Sequence, residues 1–270
     1  MSHPLLRYLR KETLPTAFCP GCGNGILMKA LFQAFDELGV KELTNYVFVS
    51  GIGCAAWIPS PFIKADTVHT LHGRPIPVAT GIKLTRPELE VIVIGGDGDI
   101  AGIGGNHLVH AARRNMDLLV IMVNNMIYGM TGGQVAPTTP RGMKTTTTPY
   151  GNPEYTMDAC ALVASLGANY SARWTVGHFL QLKDSFKVTL KKRGFRFIEV
   201  VTQCVSRVSR RLGMTAAQHI KYFLKNSVHI SKLKDRGNID LDGKIVVGVY
   251  ADRDRPGYLD IMREATKNLM

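Results

Sequence analysis

The chain has 270 residues, 45% hydrophobic and 20% charged, a balance that fits a folded globular protein and excludes a disordered or low-complexity one. Residues 1–11 carry Arg7, Arg10 and Lys11 without the apolar core of a signal peptide, and no later run approaches the roughly 20 apolar residues of a membrane span, so a cytoplasmic protein without membrane contact is expected. The net charge is +12, and residues 183–236 hold 14 Lys and Arg against Asp184, Glu199 and Asp235, an asymmetry that points to an anionic partner.

Cys19-Pro-Gly-Cys22 comes first along the chain. Alone, such a CxxC is half of a zinc site, a redox pair or a pair of cluster ligands. A helical pattern follows from Asn24 to Leu38, with Ile26-Leu27, Ala30-Leu31, Ala34-Phe35 and Leu38 on one face and Gly39 as its stop. Tyr46 to Val49, Val91 to Ile94, Leu118 to Val123 and Phe195 to Val201 are apolar, β-branched runs of the kind buried on both faces of a parallel sheet. Helical patterns at Asn106 to Arg114 and Trp174 to Lys192 lie among them. Strands alternating with helices imply an α/β fold with a doubly wound, mostly parallel sheet.

The stretch from Thr131 to Tyr155 is rich in Gly, Pro and Thr and too long for an idle connection, so it is expected to be a functional loop. After Gly213 come one amphipathic helix, Thr215 to Asn226, and a strand-like Lys244 to Val249. These read as an extension, residues 211–270, packed on a main domain of residues 1–210.

The chemistry gathers at strand ends. Val91 to Ile94 runs into Gly95-Gly96-Asp97-Gly98-Asp99 and a second glycine-rich turn ahead of a helix. Glycines at the carboxyl edge of a parallel sheet let the backbone approach a phosphate, and the helix start offers free N–H groups. A carboxylate there repels phosphate unless a cation lies between them, and magnesium takes a carboxylate together with phosphate oxygens, so Asp97 reads as a metal ligand. The next strand ends in Asn124-Asn125-Met126-Ile127-Tyr128, which brings neutral oxygen ligands to the adjacent point of the edge.

Gly-Asp-Gly-Asp followed, after 25 intervening residues, by Asn-Asn resembles the thiamine-diphosphate signature. That resemblance implies a thiamine-diphosphate-binding domain in which Asp97, the Asn125 side chain and the Ile127 carbonyl hold Mg²⁺, while Gly96, Gly98 and Asp99 help seat the diphosphate. The bland alternative is a tight strand-to-helix turn with no ligand.

The other cysteines stand singly, as Gly51-Ile52-Gly53-Cys54, Cys160 and Gln203-Cys204, so no second CxxC completes a zinc ribbon. Four soft thiolates from a CxxC and two strand or loop ends suit an iron–sulfur cluster. Cys160 sits in an apolar helical stretch, Tyr155 to Ala164, where a thiol behaves as a small hydrophobe. His107 and His110, three apart, read as faces of their helix. Around Gly73, His72 and Arg74 suit either a phosphate or carboxylate contact or a hydrogen-bonded turn.

In order, Cys19-Pro-Gly-Cys-Gly-Asn24, Gly51-Ile-Gly-Cys54, His69-Thr-Leu-His-Gly-Arg-Pro75 with Ala79-Thr-Gly81, Gly96-Asp-Gly-Asp99 and Asn124-Asn-Met-Ile-Tyr-Gly-Met-Thr-Gly-Gly-Gln134 are similar to the β subunits of 2-oxoacid:ferredoxin oxidoreductases. The match spans about residues 15 to 210, and its wording is most similar to the 2-oxoglutarate (KorB-type) branch. The resemblance implies that Cys19, Cys22, Cys54 and Cys204 hold one 4Fe-4S cluster. It also sets Asn24, Gly51, Ile52, Gly53, Cys54, His72, Tyr128, Gly129, Met130 and Thr131 beside the cofactor, with Gln134 walling it and Ala55, Ala56 and Trp57 next to the cluster.

The implied reaction is reversible oxidative decarboxylation of 2-oxoglutarate to succinyl-CoA, with electrons passed through the cluster to ferredoxin. Pyruvate and branched-chain 2-oxoacids are the alternatives within the family. The family's activating glutamate belongs to a pyrimidine-binding domain not found here, and Glu37, Glu42, Glu88, Glu90, Glu199 and Glu264 stand remote from the motifs. That residue is therefore expected from an obligate α subunit, and no catalytic residue is assigned in this chain. Arg207, Arg210 and Arg211 beside Cys204 suit a positive exit face for acidic ferredoxin, a solvated face or an α-subunit interface. A reading of another class, a basic nucleic-acid-binding module with a zinc element and Phe195, Phe197, Tyr222 and Phe223 near the charge, leaves Gly96 to Asp99 and Asn124-Asn125 unexplained.

Overall fold

The computed structural model describes residues 3–233 and 243–267. Along the chain come α1 (Asn24–Glu37), β1 (Tyr46–Ser50), β2 (Asp66–His69), α2 (Pro75–Thr85), β3 (Glu90–Gly96), α3 (Gly105–Arg113), β4 (Leu119–Asn124), α4 (Ala159–Ser165), β5 (Tyr170–Thr175), α5 (Phe179–Lys191), β6 (Arg196–Val201), α6 (Ala216–Asn226), β7 (Ser227–His229), β8 (Ile245–Asp252) and α7 (Tyr258–Thr266). The strands form one 8-stranded sheet in the order β2-β1-β3-β4-β6-β5-β8-β7. Every pair is parallel except β5 with β8.

Successive residues of a strand point to opposite faces, and here both faces are buried. Ile92 and Ile94 of β3 join one core with Leu27, Leu31 and Phe35 of α1 and Leu182 and Phe186 of α5. Val91 and Val93 join the other with Ile76 of α2, Leu108 and Ala112 of α3 and Val163 of α4. Helices on both faces make the sheet doubly wound, as the unbroken apolar runs predict. Each fully buried Leu or Phe contributes roughly 1.5–3 kcal/mol relative to leaving it in water. Gly39 ends the first helix as expected, with φ 73° and the Val40 N–H returning to the Phe35 carbonyl at 3.0 Å.

The expected helix from Trp174 to Lys192 is two elements. Tyr170–Thr175 forms β5, and α5 begins only at Phe179. The misreading has a physical origin: Ser171, Arg173 and Thr175 are polar yet buried, so the strand lacks an apolar run. β2 escapes the same way, because its Asp-Thr-Val-His is only partly buried at the edge of the sheet. The strand-like segment after Lys244 becomes β8, which sits inside the main sheet between β5 and β7.

From β1 the chain turns outward to β2, whereas from β3 it turns the other way to β4. Such a reversal opens a crevice at the carboxyl ends of the two strands. Gly51 and Gly96 stand at those ends.

Candidate cofactor site

Asp97 follows β3 with helical backbone, φ −57° and ψ −45°. It is 2% exposed and receives a hydrogen bond from the hydroxyl of Thr138, which the long loop delivers. Burial pushes its carboxyl up to about 7; the Thr138 hydroxyl and the Gly98 N–H pull it down, and the nearby Glu199 adds to the rise. No Lys, Arg or His among the described residues pairs with it. Over Gly96 the space is open, since a methyl there meets nothing within 4 Å. A buried carboxylate without a counter-charge, beside an open glycine, suits a divalent cation carrying a phosphate.

Asp99 turns into the sheet instead. Its Oδ1 accepts the Gly73 N–H at 2.6 Å and lies 3.1 Å from His72 Nδ1, while His72 Nδ1 is also 3.2 Å from the Ile52 carbonyl. With an acceptor on either side, Nδ1 carries the histidine's proton. A methyl on Gly51 would fall 2.2 Å from both carboxylate oxygens. Asp99 thus fastens the ends of β1 and β3 to the loop after β2. Arg74 points away from this joint, its Nη1 2.5 Å from His107 Nε2 on α3.

At the end of β4 the two asparagines part company. Asn124 Oδ1 accepts the Met126 N–H at 2.9 Å, and its Nδ2 donates to Glu199 Oε1 at 2.7 Å. Asn125 Oδ1 accepts the Ile127 N–H at 3.1 Å. The turn after them holds Met126 at φ 65°, and Thr139 secures it by donating to the Met126 carbonyl at 2.7 Å. Tyr128 then reaches back, its hydroxyl donating to the Gly98 carbonyl at 3.2 Å. A methyl on Gly98 would lie 2.2 Å from that ring, so this glycine is what lets the two turns touch. Thr131 donates to Gln134 Oε1 at 2.7 Å, and Met130 and Ile52 stand exposed at the rim.

Cys19, Cys22, Cys54 and Cys204 line one cavity of about 160 Å³, together with Asn24, Trp57 and Asn125. Each is brought there by backbone. Gly21, at φ 82°, lets the Cys-Pro-Gly-Cys turn pack against Ala216 of α6, and Gln203 Nε2 donates to the Gly21 carbonyl at 2.8 Å. Gly53, at φ 132°, turns the chain after β1 into Cys54, whose carbonyl accepts from Asn24 Nδ2 at 3.3 Å. Burial pushes the Cys22 thiol up to about 11, and the other three cysteines add to it. Burial raises Cys54 as well. Cys22 and Cys54 therefore resist ionising until a cation joins them. Cys160 is elsewhere, fully buried in α4 with its Sγ donating to Glu199 Oε2 at 3.4 Å.

One reading is corrected. Glu199 is not remote from the motifs, because it lies directly behind Asn124. Arg173 Nε holds its other oxygen at 2.9 Å, while Arg173 Nη2 reaches Asp158 Oδ1 at 2.7 Å. A carboxylate within a β-branched, aromatic strand run was the available signal, since a buried charge requires a partner.

Residues 51–200 match the family of thiamine pyrophosphate enzymes at their C-terminal TPP binding domain. The chain is 49% identical to the 2-oxoglutarate synthase subunit KorB of Methanocaldococcus jannaschii, over 99% of this chain and 98% of that one. The chain belongs to the β subunits of 2-oxoacid:ferredoxin oxidoreductases. Among other β subunits, that of Saccharolobus solfataricus is 47% identical over 69% of this chain and 61% of its own. The 2-oxoglutarate:ferredoxin oxidoreductase from Magnetococcus marinus, solved with 2-oxoglutarate, coenzyme A and succinyl-CoA bound, matches with a TM-score of 0.84 and 31% identity, over 98% of this chain and 90% of that chain. The β-subunit family, read from the motifs, and the doubly wound fold, read from strands alternating with helices, are borne out.

Proposed function

We propose that this β subunit, joined to an α subunit, oxidatively decarboxylates 2-oxoglutarate to succinyl-CoA and delivers the electrons singly to ferredoxin. The substrate follows the KorB relatives, 2-oxoglutarate synthase subunits, and the Magnetococcus enzyme, solved with 2-oxoglutarate and succinyl-CoA bound. The observation that carries the reading is the shared wall: Asn125 lines the cavity of the four cysteines. A diphosphate site and an electron outlet are then neighbours.

Asp97, Asn125 and the Ile127 carbonyl would hold Mg²⁺, and Cys19, Cys22, Cys54 and Cys204 would hold a 4Fe-4S cluster. Thiamine diphosphate supplies a nucleophilic carbon for 2-oxoacids, and such a cluster takes up electrons one at a time. Asp99 would act on the diphosphate indirectly, by fixing the backbones of Gly51 and Gly73. Glu199 is buried and bound by Arg173 and Asn124, so the acid that activates the cofactor is assigned to the α subunit.

Residues 211–270 are read as an extension that widens the sheet through β8. No helix among the described residues is long and apolar enough to cross a membrane, and the unpaired cysteines suit a reducing cytoplasm. The test is an anaerobic assay of the co-purified α/β complex with 2-oxoglutarate, pyruvate and a branched-chain 2-oxoacid, each with coenzyme A and a one-electron acceptor. Fastest turnover with 2-oxoglutarate is expected. A preference for pyruvate would refute the substrate, and no coenzyme A-dependent reduction with any of them would refute the reaction.

A further inference from the structure

We propose that the arginine-lined surface following Cys204 is where an acidic one-electron carrier protein docks. The proposal rests on reading the four-cysteine cavity as a cluster site. Cys204 leads into one irregular turn, Val205–Ser209, and Ser206, Arg207, Arg210 and Arg211 surround an open depression there. Ser206 lines both that depression and the cysteine cavity. The two therefore adjoin.

All three arginines are exposed, and none forms an ion pair with a described residue. Arg207 has a structural tie, its Nε donating to the Gly129 carbonyl at 3.3 Å. Arg210 and Arg211 keep their guanidinium groups free of described partners. Residues 201–233 contain these three with Lys221, Lys225 and Lys232 and no Asp or Glu at all, so nothing in the local sequence neutralises the field. Leu212, beside the arginines, is 46% exposed, and Trp57, on the cavity wall, is 41% exposed. Arginine with exposed apolar and aromatic groups is the composition of a protein-docking face, and an uncompensated positive patch steers an acidic partner into register.

The cysteine inventory fits the same occupant. Of the five cysteines in the sequence, four line this cavity and Cys160 is buried away from it, so one cluster uses all the thiols at hand. The cluster these cysteines would hold would give up one electron per encounter to the oxidised carrier, with no bond made or broken.

The experiment uses the assembled α/β complex carrying Arg210→Glu and Arg211→Glu together, with Arg207 left in place. Binding of an acidic ferredoxin is measured by titration calorimetry at low salt, and turnover is followed with that ferredoxin and with a small neutral quinone. Ferredoxin binding and kcat/KM are expected to weaken by about tenfold or more, with a flatter dependence on salt. Quinone turnover and the KM for coenzyme A should stay within about twofold, well inside that tenfold steering effect. Unchanged ferredoxin binding overturns the proposal. So does a raised KM for coenzyme A, which would give the arginines to its phosphates, or loss of α/β assembly in both this variant and the milder Arg210→Gln, Arg211→Gln pair. Arginine-dependent ferredoxin binding in a complex that turns over no 2-oxoacid would count against the proposed reaction and leave the docking face standing.

Discussion

Cys204 and Asn125 face each other across Gly129: a methyl on that glycine would lie 3.5 Å from the Cys204 Sγ and 3.7 Å from the Asn125 Nδ2. The cysteine follows β6 and the asparagine follows β4, and those strands are parallel neighbours. Sheet pairing alone therefore sets the Asn125 turn against the thiol. Replacing Cys204 by Ala should remove iron, acid-labile sulfide and visible absorption from anaerobically purified protein while sparing its far-ultraviolet circular dichroism. Cys160→Ala should keep the iron, because that thiol contacts Glu199 inside the sheet. Iron lost equally from both variants would contradict the assignment.

Asp97 makes a prediction about pH. Its folded carboxyl titrates at about 7 instead of 3.8, so between those values the folded state binds more protons than the unfolded one. Its contribution to stability therefore worsens as pH rises through that window and is fully unfavourable above it. Above about pH 7 the penalty is on the order of 4 kcal/mol. Metal-free Asp97→Asn protein should accordingly melt higher than the wild type at pH 8, the gap closing toward pH 4, while losing its affinity for magnesium and thiamine diphosphate. Equal melting at pH 8, or retained cofactor affinity, would count against this role.

The chain from exposed Asp158 through buried Arg173 and Glu199 to Asn124 ties the turn after β4 to β5. Arg173→Met should destabilise the protein by about 3–5 kcal/mol, because it strands the Glu199 carboxylate in the interior. Denaturant titration measures this directly. A loss under about 1 kcal/mol, the worth of a surface pair, would show that the pair is solvated.

Two glycines give opposite expectations. Gly51→Ala drives a methyl into the Asp99 carboxylate and should cost about 1–3 kcal/mol of stability as well as cofactor affinity. Gly25, inside α1 with open space around it, should gain about 0.5–1 kcal/mol on the same change. Calorimetric melting of both variants checks the pair, and destabilisation by Gly25→Ala would contradict the packing.

The strand-end motifs were legible because glycines, one acid and two amides at consecutive strand ends have few other uses. β3, β4 and β6 were legible because burial on both faces leaves an apolar run. β5 was not, since Ser171 and Arg173 answer Cys160 and Glu199 across the fold, and a one-dimensional pattern does not display such partners. The same blindness hid Glu199. Asp99 read as a diphosphate contact, whereas only the packing of Gly51 against it shows that the side chain closes the joint between β1 and β3.

The most direct test of the central claim, that one edge of this sheet holds the diphosphate next to the electron outlet, is anaerobic absorption of the α/β complex on adding 2-oxoglutarate and coenzyme A. The visible iron–sulfur absorption should bleach in the wild type, persist unbleached in Asp97→Ala and be absent from Cys204→Ala. Bleaching in the Asp97→Ala complex, or a cluster retained in the Cys204→Ala complex, would contradict it.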